Sequence, residues 1–293
     1  MVDNRSTSDQ TKAFLYIAFA CLAFAAMNAL VKEASSAHLS PFEVAFFRAF
    51  ISLLLLLPLM RQRGVSYFGS NRRLLFARGA IGCLSMYLGF FALGRAPLGE
   101  VTVLWKTSTL FTALLAPFAL GERFSWMLLL FICLGLLGSV LVLDVGFSGP
   151  ALAPGVGIAL LGALGAGFSV SLVAMSIRQL QATEHSLTIV FSFCFYAAAI
   201  SLLFSLPFFV IPPLRELLLL VLTGVVGLAG QIFYTNAFRF APAADVQSFT
   251  FMEVLFAVLI GVVCWGEVPT LSSLVGGLCI IASSVSILRL RAR

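Results

Sequence analysis

Charged residues are scarce in this chain. They make up 10% of its 293 residues, whereas a typical soluble globular protein has about 25%. Hydrophobic residues reach 61% and the mean hydropathy is +1.08. This composition excludes an ordinary soluble enzyme, a disordered chain and a nucleic-acid-binding domain. The length instead suits about ten membrane spans of roughly 20 residues, with no separate soluble domain.

Patterns that bind metals or perform catalysis are also missing. The two histidines, His38 and His185, lie at the ends of apolar segments in different halves of the chain, and the six cysteines form no CxxC pair. The sequence contains no HExxH motif, no P-loop and no recognisable Ser/His/Asp arrangement. It therefore predicts no cofactor and no metal, argues against an integral-membrane enzyme, and offers no domain for ATP-driven transport.

Long apolar runs alternate with short polar or Pro/Gly-containing breaks. We expect them to be helices, because a helix satisfies its backbone hydrogen bonds internally within lipid. The sequence thus predicts an all-α integral membrane protein with a tail at 1–12, a linker at 145–153 and a tail at 291–293. The ten predicted spans are 13–34, 41–60, 73–94, 98–120, 124–143, 154–177, 186–209, 214–238, 243–265 and 271–289.

Basic residues predict the orientation of these spans. If the N-terminus is cytoplasmic, twelve Lys and Arg residues lie on the cytoplasmic side, two lie outside and four fall within spans. Such a bias is typical of cytoplasmic loops. We therefore expect a multi-pass protein of a bacterial-type plasma (inner) membrane, with both termini in the cytoplasm.

The two halves of the chain resemble each other. An offset of 145 residues aligns Gly79–Glu122 with Gly224–Glu267 without a gap, and 11 of the 44 positions are identical. The predicted repeats are 13–144 and 154–290, with five spans each. Because five is odd, the second copy must enter the membrane from the opposite side, which is the inverted arrangement of many secondary transporters.

Two sequence blocks carry a family resemblance. They read "ALGRAPLGEVTVLWKTSTLFTALLAPFALGERFSW" and "AFRFAPAADVQSFTFMEVLFAVLIGVVCWGEVPT". In their order of Ala, Pro, apolar span and Gly-Glu, the chain resembles the ten-helix EamA-type branch of the drug/metabolite transporter superfamily. The resemblance implies a secondary transporter of small metabolites. Thr109 and Val254 stand where that family often has a mid-span proline.

Two charged residues lie deep within predicted spans. Lys106 is roughly 12 Å into the fourth span and Glu253 roughly 15 Å into the ninth, and charges at such depth usually face a cavity or a partner. The repeat matches Glu253 with Ser108, which a continuous helix would place about 160° away from Lys106. Three alternatives remain open: both residues contact the substrate, they form a structural pair, or only one is functional.

Other polar side chains in the spans are candidates for contact with the substrate. Each can equally form an interhelical hydrogen bond, or in the case of Trp105 pack against lipid or the core. With the two charged residues, the predicted substrate-binding set is Lys106, Glu253, Trp105, Asn28, Tyr87, Gln231, Tyr234, Asn236, Ser108 and Thr250.

The sequence favours a secondary transporter that works by alternating access on a small polar or amphipathic metabolite. An amino acid-like zwitterion or an organic anion fits Lys106, which would repel a purely cationic compound. A proton on Glu253 is the candidate for coupling. The rival function is a multidrug exporter of lipophilic cations that uses Glu253 as counter-charge. Membrane lipids are expected partners and nucleic acid is not; a monomer and a weak dimer both remain open.

Overall fold

The computed structural model describes residues 7–34, 41–93, 95, 98–143, 156–209, 212–266 and 268–292. This part of the chain contains helices and no strand. The predicted linker at 145–153 lies outside it. The helices are α1 (Thr7–Ala34), α2 (Pro41–Gln62), α3 (Arg72–Leu93), α4 (Leu98–Lys106), α5 (Ser108–Leu120), α6 (Trp126–Val142), α7 (Val156–Leu180), α8 (Ser186–Ser205), α9 (Leu214–Phe240), α10 (Ala243–Phe249), α11 (Met252–Trp265) and α12 (Leu271–Ala292).

These helices have the length and composition of membrane spans. Among the described residues, eight helical segments are long and apolar enough to cross a membrane, and the apolar α6 is shorter. Two of the eight segments run through a helix break, Val101–Leu120 across α4 and α5, and Ala243–Cys264 across α10 and α11. The multi-pass class predicted from the sequence is confirmed, whereas the number of ten spans stays a prediction.

The fourth and ninth predicted spans are broken, which corrects the continuous helices expected from the sequence. Thr107 separates α4 from α5, and Thr250 and Phe251 separate α10 from α11. No proline causes these breaks. The Thr107 hydroxyl donates to the Leu104 carbonyl, and the Thr250 hydroxyl donates to the Gln247 carbonyl at 2.7 Å. Such side-chain bonds compete with the helical ladder, and a tighter turn replaces it locally.

The repeated Gly-Glu motif ends a helix in both halves. Gly121 follows α5 and Gly266 follows α11, with φ of +67° and +65°. Glycine adopts this left-handed conformation without steric cost, which makes it the usual residue just after a helix. The motif therefore has a local structural explanation at its glycine.

The helices pack in pairs that bring distant parts of the chain together. Helix α1 packs on α9, α3 on α7, α2 on α8 and α6 on α12. The closest approach occurs between α6 and α12, where a Cβ atom added to Gly138 would lie 2.6 Å from the Gly276 carbonyl oxygen. Small residues permit such contacts between membrane helices.

The start of α1 and the end of α12 lie at the same end of the bundle. Gln10 near the start of α1 and Leu288 near the end of α12 line one small cavity together with Ala241. At this terminal end, Glu122 Oε1 accepts a hydrogen bond of 2.8 Å from the Ala243 amide. This bond fixes the start of α10, the first half of a broken span, and so helps to place the break.

Candidate functional site

Lys106 and Glu253 form an ion pair between the two broken spans. Lys106 Nζ lies 2.8 Å from Glu253 Oε2, and the exposed fractions of the two side chains are 13% and 23%. Lys106 Nζ also donates to the Thr250 carbonyl oxygen at 3.2 Å. Asn28 Nδ2 of α1 donates to Glu253 Oε1 at 3.1 Å, which gives each carboxylate oxygen a partner. We call Lys106, Glu253, Asn28 and Thr250 the ion-pair cluster.

The helix breaks explain how the two charges meet. Lys106 is the last residue of α4 and Glu253 lies in the first turn of α11. A cation at a helix C-terminus and an anion at a helix N-terminus both complement the helix dipole. The expected angle of about 160° between Ser108 and Lys106 assumed one continuous helix, and the break at Thr107 invalidates it. The sequence alone thus left open whether Lys106 and Glu253 pair, and the structure contains this ion pair.

The ion-pair cluster is reachable from outside the protein interior. Asn28 is exposed, and neither Lys106 nor Glu253 is fully buried. A pair in a sealed core would have no access for a ligand, whereas these side chains present charge at a partly open position. The cluster can therefore offer a cation, a carboxylate and an amide to a small zwitterion.

A neutral hydrogen-bond network lies beside this cluster. The Tyr234 hydroxyl donates to Gln247 Oε1 at 2.9 Å, and Gln247 Nε2 donates to Ser108 Oγ at 3.4 Å. All three side chains are buried. Ser108, the repeat equivalent of Glu253, thus bonds to a glutamine within the core. Sequence reasoning missed Gln247, although an uncharged amide within an apolar span is itself a signal of a buried polar partner.

A second group of polar residues surrounds Arg78 of α3. Arg78 is 2% exposed, its Nη2 lies 3.5 Å from Gln231 Oε1, and its Cζ lies 4.4 Å from the centre of the Phe193 ring. Gln231 also lines a cavity together with Arg48 of α2. We call Arg48, Arg78 and Gln231 the arginine cluster. Gln231 was a predicted site residue, whereas Arg78 was missed although it is an arginine within an apolar span.

The remaining predicted residues make their side-chain contacts outside the ion-pair cluster. The Tyr87 hydroxyl bonds to Ser201 Oγ at 3.1 Å, and Asn236 Oδ1 accepts from Ser186 Oγ at 2.8 Å. The Trp105 ring packs against α3, where a Cβ added to Gly89 would meet it at 2.7 Å. Each of these side chains has a structural partner, and any role in substrate binding stays a prediction. The described residues contain no group of His, Cys, Asp or Glu that could hold a metal ion.

The chain has apolar helices of membrane-spanning length, and two of its spans are broken around a charged pair. This combination is typical of polytopic membrane transporters. The sequence profile of the EamA-like transporter family matches residues 11–144 and again residues 157–289. The chain belongs to this family, which confirms the resemblance seen in the sequence. The family is one of transporters rather than enzymes, as the sequence predicted.

Known relatives span nearly the whole chain. The pseudopaline exporter CntI of Pseudomonas aeruginosa is 36% identical over 279 residues, which is 94% of this chain and 95% of the exporter. The S-adenosylmethionine uptake transporter of Rickettsia prowazekii is 25% identical and covers 91% of this chain and 89% of its own. A crystal structure with 21% identity matches with a TM-score of 0.84 over 97% of this chain and 98% of that one. That last likeness supports the fold.

Proposed function

We propose that the chain is a secondary transporter of a small zwitterionic or anionic metabolite, with an amino acid-like compound as the favoured substrate. The observation that carries this proposal is the partly accessible pair of Lys106 and Glu253 at two helix breaks. Lys106 would bind the substrate carboxylate, and Glu253 with Asn28 would bind its ammonium group. Substrate binding would thus replace one set of charge contacts with another.

The proposed mechanism is alternating access by two inverted repeats of five spans, 13–144 and 154–290. In this scheme helices α1–α6 correspond to α7–α12. The packing supports it, because α1 packs on α9 as α7 packs on α3, and α2 packs on α9 as α8 packs on α3. The two separate matches of the family profile support it as well. Rocking of one repeat against the other would expose the ion-pair cluster to each side in turn.

We further propose an inner-membrane location with both termini cytoplasmic and a proton on Glu253 as the coupling ion. The excess of basic residues on one side supports the orientation. A proton and the substrate ammonium group would compete for the Glu253 carboxylate, so substrate binding and proton release would be linked. One relative is named as an exporter and another as an uptake transporter, so the direction must be measured for this chain.

The structure disfavours the rival function, a multidrug exporter of lipophilic cations. Glu253 already has a cationic partner in Lys106 at 2.8 Å. A lipophilic cation would have to displace that lysine and leave it without a counter-charge, which is costly in a membrane interior. A zwitterion satisfies both charges at once.

Counterflow in proteoliposomes tests the proposal. Proteoliposomes that contain the purified chain are preloaded with unlabelled amino acids. They should accumulate at least one labelled amino acid from a mixed panel. We expect Lys106→Met to remain monodisperse. Its counterflow rate should be at least tenfold lower than that of the wild type, since a charged hydrogen bond is worth about 1.5–3 kcal/mol. The matched control is Arg215→Met, which removes a cation from an exposed ion pair with Glu33.

Two results would contradict this function. Wild-type counterflow in Lys106→Met would remove the residue from the transport path. Preference for lipophilic cations over every zwitterion and anion of the panel would instead favour the multidrug alternative.

A further inference from the structure

Arg78 is a buried cation, and the residues that the structure describes place no carboxylate against it. It is the largest fully buried side chain among the described residues, and its Nε and Nη1 have no hydrogen-bond partner. Its one side-chain contact of hydrogen-bonding length is the 3.5 Å approach to Gln231. No ion pair to Arg78 occurs within the described ranges. A guanidinium in this condition is costly in a membrane interior and calls for a functional explanation.

A second guanidinium lies close to the first. A Cβ added to Gly227 of α9 would lie 3.4 Å from Arg48 Nε. Gln231, which faces Arg78, is one turn further along α9, or about 6 Å. Arg48, Gln231 and Ser52 line a cavity of about 10 Å³, and none of its lining residues is Asp or Glu. Arg48 thus lines a small, mostly apolar cavity, and Arg78 contacts two of the other lining residues, Gln231 and Phe193.

The arginine cluster lies at the same depth as the ion-pair cluster. Met27 of α1 faces Gly227, since a Cβ there would lie 2.9 Å from Met27 Sδ. The next residue, Asn28, donates to Glu253. Consecutive residues of a helix point about 100° apart and differ by 1.5 Å in height. Arg48 and Asn28 thus lie at similar heights along α1, and Gln231 lies about one helical turn further along α9.

We propose that the arginine cluster binds a second carboxylate of the transported substrate. The inference rests on the proposed function, because the first carboxylate and the ammonium group occupy the ion-pair cluster. The substrate class becomes an amino acid-like compound with an additional carboxylate and a net negative charge. Arginine suits this role, since its planar donors match a carboxylate and it stays charged when desolvated.

The size of the cavity agrees with a site that opens during transport. About 10 Å³ holds roughly one water molecule. A carboxylate enters only when α2 and α9 separate slightly, which is the kind of motion that alternating access requires. The Phe193 ring face stabilises the Arg78 cation at this position.

Ligand-dependent thermal unfolding of the purified full-length chain tests this site. The probes are L-alanine, L-aspartate, L-glutamate, L-2-aminoadipate and sulfate, each compared with sodium chloride at equal ionic strength. We expect at least one acidic amino acid to bind at least tenfold more tightly than L-alanine. Arg78→Gln should weaken the binding of that acidic amino acid about tenfold or more, which is the loss expected for a charged hydrogen bond. The same variant should leave the binding of L-alanine unchanged. Arg215→Gln is the matched control and should change neither.

A second pair of variants covers a failure of Arg78→Gln to fold. Arg48→Gln and Arg78→Lys probe the same cavity, and each should reduce the preference for acidic amino acids. Equal binding of L-alanine and every acidic probe in the wild type would overturn the proposal. So would an unchanged preference in the folded variants, or stabilisation by sulfate as strong as that by the acidic amino acids.

The same measurements separate this inference from the proposed function. If Lys106→Met abolishes L-alanine binding while the folded arginine variants keep the full acidic preference, only the second carboxylate site is wrong. If Lys106→Met binds and transports like the wild type, the proposed function itself fails, and the inference that rests on it fails with it.

Discussion

Lys106 and Arg78 are both cations within the helix bundle, but their surroundings differ. Lys106 has a carboxylate at 2.8 Å and a backbone carbonyl at 3.2 Å, and its side chain is 13% exposed. Arg78 is 2% exposed and has two nitrogen atoms without a partner. The first charge is compensated within the protein and the second is not. The difference teaches that a paired charge can contribute to stability, whereas an unpaired one is retained at a cost.

The helix breaks account for part of this difference. At the ion-pair cluster, the Thr250 carbonyl accepts from both the Glu253 amide in a tight turn and Lys106 Nζ, and the helix break places Glu253 at a helix N-terminus. Arg78 lies within the continuous helix α3, whose carbonyls are used by its own ladder. The arginine therefore depends on side chains from other helices, and among these the structure offers an amide and an aromatic ring.

The largest expected effect on stability comes from Lys106→Met. Removal of one partner from a buried pair leaves the other charge uncompensated and costs roughly 3–5 kcal/mol. Partial exposure of Glu253 places the expected loss at the lower end, about 3 kcal/mol. Thermal unfolding in detergent measures it, and the double variant Lys106→Met with Glu253→Gln should recover most of the loss. A stable single variant with an equally stable double variant would show that the pair does not stabilise the fold.

The sequence was sufficient to single out Lys106 and Glu253 as candidates, because a charged residue inside an apolar span is visible in the sequence itself. It was insufficient to predict their contact. Thr107 and Thr250 break their helices through hydroxyl bonds to nearby carbonyls, and threonine within a span more often leaves a helix intact. The neutral network was also hidden, since the partnership of Tyr234 with Gln247 depends on the packing of α9 against α10.

Arg78 shows a different limit of sequence reasoning. It lies near the start of a predicted span, where an arginine can reach the membrane surface along its own helix. Burial against Phe193 of α8 and Gln231 of α9 instead turns the side chain inward. That orientation is set by helices more than 100 residues away in sequence, which no local pattern could reveal.

Glu253→Gln separates transport from binding at the ion-pair cluster. If Glu253 carries the coupling proton, the rate of transport driven by a pH gradient should be at least tenfold lower in the variant, because glutamine cannot take up the proton. Substrate exchange without a gradient should fall less than gradient-driven transport, because the glutamine oxygen can still accept a hydrogen bond from the substrate ammonium group. Proteoliposomes with and without a pH gradient measure both rates, and Glu33→Gln in the exposed ion pair is the matched control. Unchanged gradient-driven transport would assign the coupling ion elsewhere.

Arg78→Met should have the opposite sign to Lys106→Met. The variant removes a desolvated, uncompensated cation and loses only a contact at 3.5 Å and one cation–π interaction. We expect a stability that is unchanged or higher by about 1 kcal/mol, measured by thermal unfolding beside Arg215→Met. A loss of stability as large as that of Lys106→Met would mean that other groups compensate the charge of Arg78 in the folded protein.

The smallest expected effect on stability concerns Glu184 in the loop between α7 and α8. Hydrogen-bond donors stabilise the charge of this residue. Glu184 Oε1 accepts hydrogen bonds from the Ser70 amide at 2.7 Å, the Ser70 hydroxyl at 2.8 Å and the Asn71 amide at 2.5 Å. Partial burial alone would raise the pKa of Glu184, but these three bonds outweigh it and lower the pKa below the ordinary value of 4.5. Backbone and hydroxyl donors thus hold this carboxylate, and no cation pairs with it among the residues that the structure describes.

Glu184→Gln should therefore cost about 0.5–1 kcal/mol at pH 7, since the site is partly exposed and screened. A lowered pKa in the folded state adds stability above the unfolded-state pKa, and this contribution is lost as the pH falls through the folded-state value. The difference in unfolding temperature between wild type and variant should accordingly shrink as the pH falls from 7 toward 3. Hydrogen exchange at the Ser70 and Asn71 amides should be faster in the variant at neutral pH, with Asp9→Asn at an exposed ion pair as control. A difference that stays constant over this pH range would show that the hydrogen bonds of Glu184 do not depend on its charge, unlike those of the ion-pair cluster.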